Sequence, residues 1–74
     1  MSLNDRFSYF LENLYRIDLM PVKGNEDLIM GELLNLDVFV KGLRQTDGLT
    51  ADERYSMASL INCVRKRKEK EGLK

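Results

Sequence analysis

The chain has 74 residues, with 12 basic side chains balanced by 12 acidic ones, one cysteine and no histidine. The missing histidine excludes Ser-His-Asp and Cys-His catalysis and any imidazole metal site, and a lone cysteine makes neither an internal disulfide nor a cysteine-based zinc site. The length allows one helical domain, 1–74, and a fold this small without disulfide or metal needs a very good core or self-association.

Three segments carry helical periodicity. In the first, Leu3, Phe7, Phe10, Leu14 and Ile17 recur at spacings of 4, 3, 4 and 3, which lays them in one stripe. Ser2 or Asn4 is the expected cap. Pro21 cannot donate a backbone hydrogen bond and biases Met20 away from helical geometry, so this helix is expected over 3–18.

Lys23-Gly24-Asn25 reads as a turn, with Asn25 capping a second helix expected over 26–45. Glu26 and Asp27 fall in its first turn, where the macrodipole favours carboxylates. Its main stripe is Ile29, Leu33, Leu36, Val40 and Leu43, widened by Leu28 and Phe39. Glu32 projects to the stripe's edge and is expected to pair with Arg6 or Arg54.

Thr46-Asp47-Gly48 breaks the chain, and Thr50-Ala51-Asp52-Glu53 has the hydroxyl and carboxylate spacing of a capping box. Leu49 is placed to staple onto the third helix, expected over 51–70. Its stripe is Met57, Ala58, Leu60, Ile61 and Val64. Nothing apolar follows until Leu73, so the charged end at about 65–74 is expected to be solvated and fraying.

The fold expected from this order is all-α: a three-helix bundle with short loops. The rival is a hairpin of the second and third helices with the N-terminal helix docked on a second chain. No apolar run approaches the roughly 18 residues of a membrane span, and the start lacks the basic segment and apolar core of a signal peptide. The unpaired thiol fits a reducing compartment, so the expected location is cytoplasmic.

The zero net charge conceals an asymmetry. Residues 1–37 carry three basic and seven acidic groups, and residues 38–74 carry nine basic and five acidic ones. One use for it is assembly, with basic ends meeting acidic halves of other subunits.

The second helix has a further apolar row. Met30, Leu34 and Val38 recur every four residues on nearly the opposite side from the main stripe. A helix apolar on two sides is usually buried on two sides. In a three-helix chain the second row is therefore a candidate interface with another protein or with a second copy. Gly31 and Gly42 share a face near it, and each costs about 1 kcal/mol in a helix interior relative to alanine, which points to close approach of a partner. The plainer alternative is a central helix wrapped by its own neighbours, with a kink at Gly31 and fraying near Gly42.

Arg65, Lys66, Arg67, Lys68 and Lys70 form the nucleic-acid or anionic-ligand candidate, since phosphate contacts are made by such cations without sequence preference. Against it, the charges spread around the helix, cations suit a helix C-terminus, and no aromatic lies among them for base stacking. Tyr9 and Arg16 share a face, and an aromatic beside a guanidinium can hold a planar ligand, though boundary tyrosines more often keep the ring dry and the hydroxyl wet. Cys63 has no base near it in sequence and reads as ordinary packing. The carboxylate pairs at Glu26-Asp27 and Asp52-Glu53 fall at helix starts, where capping accounts for them without metal or acid–base chemistry.

Together these features lead to a non-enzymatic interaction module, an adaptor, inhibitor or regulator, that self-associates through its second helix. No cofactor, metal or catalytic residue is expected. The alternative is a nucleic-acid or anionic-ligand binder using the basic end.

Overall fold

Apolar residues at helical spacing make three helices in the computed structural model, which describes residues 3–43 and 50–73, with backbone alone for Leu3 and Asn4. They are α1 (Leu3–Leu19), α2 (Glu26–Gly42) and α3 (Ala51–Lys70), and each packs against the other two. This is the closed bundle: α1 docks on its own chain, which decides against the hairpin with a detached first helix. The Ser2 cap, the side chain of Leu3, the Thr46-Asp47-Gly48 break and the Leu49 staple lie outside the described residues.

The core takes Phe10, Leu14 and Ile17 from α1, Ile29, Leu33, Leu36 and Val40 from α2, and Met57, Ile61 and Val64 from α3. Phe39 packs against it, whereas Leu28 and Leu60, expected on the buried stripes, are exposed. Both sit at stripe edges, where a helix no longer meets its neighbours. Val22, in the connection before α2, and Leu43, just after it, are also buried.

Pro21 acts as its chemistry requires, and α1 ends at Leu19. Gly24 then adopts a φ of +83°, a conformation open to glycine. Asn25 occupies the N-cap position of α2, but its side chain makes no cap bond. Its Nδ2 instead donates to the Pro21 carbonyl at 2.9 Å, closing the turn rather than the helix. The backbone explains this: a ψ of 14° at Asn25 departs from the extended geometry that aims a cap side chain at the helix. α2 stops at Gly42, short of the expected 45, because Leu43 leaves helical geometry with ψ at 62° and turns into the core.

The expected capping box is present. The Glu53 backbone N–H donates to Thr50 Oγ1 at 3.1 Å, and the Thr50 N–H donates to Glu53 Oε1 at 3.3 Å. At its other end α3 does not fray into solvent as expected. Lys68 continues the Met57, Ile61 and Val64 stripe at the same 4, 3, 4 spacing and is only 1% exposed. The Leu73 N–H then donates to the Lys68 carbonyl at 2.9 Å and the Gly72 N–H to Glu69, with Gly72 at φ +119°. This is a Schellman closure, and it folds Leu73 onto the core.

Candidate functional site

α2 sits between α1 and α3 and shows them only part of its circumference. Ile29, Leu33, Leu36 and Val40 face inward, and Met30, Leu34 and Val38 face away, 49%, 62% and 61% exposed. The three outward residues form one row, since four residues advance the helix by about 40° beyond a full turn. The bundle therefore leaves the second stripe uncovered. Asp27 and Lys41, both exposed, lie on this same face at opposite ends of the row. Their spacing with Gly31, Leu34 and Val38 is again 4, 3, 4 and 3, a signal in the sequence that the apolar row alone did not disclose.

Gly31 and Gly42 are exposed, and a Cβ built on either meets nothing within 4 Å. No part of the described chain approaches these glycines closely. Gly42 is the last residue of α2, which accounts for it without a partner. Gly31 lies inside the helix beside Met30 and Leu34, where a cleft between α2 and α3 is also lined by Asp37 and Arg65.

The other flank of the exposed row is closed by ring and charge contacts. Tyr9 packs on Phe39 with ring centroids 5.1 Å apart. Arg16 forms an ion pair with Glu32 and also donates to Asn13 Oδ1 at 3.2 Å. Glu32 thus pairs with Arg16 rather than with Arg6 or Arg54. Antiparallel register is the cause: the chain sets Tyr9 beside Phe39 and Arg16 beside Glu32, while Arg6 falls near Val38, Phe39 and Gly42. Arg54 is eleven residues from Arg65, which is level with Asp37, so it lies about 16 Å farther along α3. Tyr9 and Arg16 each contact α2, through Phe39 and Glu32, as boundary side chains that stay partly exposed.

The basic end of α3 is largely engaged as well. Arg65 donates to Asp37 Oδ2 at 2.7 Å, and Arg67 donates to Asp18 Oδ1 at 2.9 Å. Lys68 Nζ donates to the carbonyls of Asp18 at 2.7 Å and Met20 at 2.6 Å, with Glu71 beside it at 3.4 Å. Those carbonyls are among the acceptors that α1 leaves unpaired at its C-terminal end. Lys66 and Lys70 remain exposed. Part of the charge asymmetry is met inside the chain, where the ion pairs Arg65–Asp37 and Arg67–Asp18 join the basic end of α3 to acids of α2 and α1.

Among the described residues no group of histidine, cysteine or carboxylate side chains could hold a metal ion, and no helix is long and apolar enough to cross a membrane. Cys63 is exposed. Comparison with protein-family models, curated proteins and solved structures finds no significant match to this chain.

Proposed function

We propose that this chain is a small non-enzymatic protein-interaction module, an adaptor, inhibitor or regulator, that self-associates through the outward face of α2. The observation that carries the reading is the row Met30, Leu34 and Val38, each about half exposed or more while the opposite face of the same helix is buried. Single exposed apolar residues are ordinary on a protein surface. A row of three on one helix, clear of the core, is the pattern by which an amphipathic helix finds a second partner. A cytoplasmic site of action fits the reading, because an exposed thiol persists unpaired in a reducing compartment.

Nucleic-acid or anionic-ligand binding by the basic end is the weaker reading. Three of its five cations, Arg65, Arg67 and Lys68, are already bonded to acceptors of α1 and α2.

The test is the double substitution Leu34→Glu and Val38→Glu, read by sedimentation velocity and circular dichroism. The reading expects loss of self-association with helicity retained. Unchanged self-association would rule out this face.

A further inference from the structure

Asp27, Leu34 and Lys41 stand on the outward face of α2 with Leu34 at the middle, seven residues from each charge. On a helix of 3.6 residues per turn, Asp27 and Lys41 fall about 20° to either side of Leu34 and about 10 Å above and below it. Met30 and Val38 are likewise placed symmetrically, four residues to either side. Leu34 is also the central residue of α2 itself, which runs Glu26–Gly42. The outward face is therefore close to its own complement when turned end for end.

Building on self-association through α2, we infer that the occupant of this face is a second copy packed antiparallel, with a two-fold axis at Leu34. An isologous contact of this kind brings residue i of one copy level with residue 68 − i of the other. Leu34 then meets the partner's Leu34, and Met30 lies beside the partner's Val38. Asp27 comes level with the partner's Lys41, twice over by symmetry. A parallel pair would instead set Asp27 against the partner's Asp27 and Lys41 against the partner's Lys41, and like charges facing each other are unfavourable.

Charge reversal provides the test. Asp27→Lys and Lys41→Asp are made singly and together in the full chain, with helicity checked by circular dichroism and dimerisation read by sedimentation equilibrium. Each single reversal should weaken dimerisation about tenfold, and the double reversal should restore most of it, because two exposed pairs change sign and then recover. A second measurement leaves the charges untouched. Leu34→Cys in a Cys63→Ser background should form a disulfide-linked dimer on oxidation, as expected for a residue on the axis. Self-association that is indifferent to the reversals and gives no Leu34→Cys cross-link overturns the register while leaving self-association standing. A wild-type chain that stays monomeric overturns both.

Discussion

Lys68 Nζ donates to the Met20 carbonyl at 2.6 Å, tying the last turn of α3 to the segment that leaves α1. The same ammonium donates to the Asp18 carbonyl, so one buried cation serves two acceptors that the end of α1 leaves open. The methylene stem meanwhile continues the apolar stripe of α3, as long cationic side chains do when the head finds polar partners.

Lys68→Met tests this join. The stem is kept and the donor removed, leaving two sequestered carbonyls without their partner. Hydrogen bonds from charged groups are worth about 1.5–3 kcal/mol, and urea denaturation should show a loss of that size. A loss under about 0.5 kcal/mol would mean that water replaces the ammonium without penalty.

The cap of α3 gives a second, smaller effect. Thr50→Ala should destabilise by about 1 kcal/mol, the usual value for a lost N-cap. Thr50→Ala combined with Glu53→Ala should cost less than the two single changes added together, because the two side chains hydrogen-bond as one unit. Thermal melts of the two single variants and the double variant check the coupling. Strict additivity would contradict it.

Two glycines should respond in opposite directions. Gly31 lies inside α2 with open space where a Cβ would stand, so Gly31→Ala should stabilise the folded chain by about 0.5–1 kcal/mol at concentrations where it is monomeric. Gly72 has φ +119°, so Gly72→Ala should destabilise by about 1 kcal/mol or more and loosen Leu73. Chemical denaturation of both variants distinguishes the cases, and the same sign for both would contradict the backbone geometry at Gly72.

The salt dependence of any DNA binding reports on the basic end. With Arg65, Arg67 and Lys68 bonded within the bundle, Lys66 and Lys70 are the cations of that cluster left for phosphate. The log–log slope of affinity against salt on duplex DNA should then be no steeper than about −1.8, at about 0.9 for each phosphate contact. Fluorescence anisotropy over a salt series measures it. A slope near −4.5, equivalent to five contacts, would show that the bundle's ion pairs open to bind nucleic acid.

The helices themselves were legible in the sequence, because burial at helical spacing, Pro21 and the Thr50 to Glu53 box are local signals that packing reinforces. The end of α3 was not. In the sequence Lys68 reads as one charge of a basic run, although its position continues the stripe through Met57, Ile61 and Val64; only the approach of the α1 terminus makes a lysine suitable there. The Gly72-Leu73 closure was likewise present in the sequence as a glycine followed by an apolar residue. Ion-pair partners were the least legible, since Arg16 rather than Arg6 reaches Glu32 through the helix register, which the stripes alone do not determine. The second row of α2 was readable as apolar, whereas its exposure depended on how much of α2 the other two helices cover.

The most direct measurement is the mass of the wild-type chain in solution, by light scattering across protein concentration at low and high salt. An assembly held by Met30, Leu34 and Val38 should approach twice the 8.6 kDa chain mass as concentration rises and should persist in high salt, weakened only as far as the flanking charges contribute. A mass of one chain at every concentration would contradict self-association through α2.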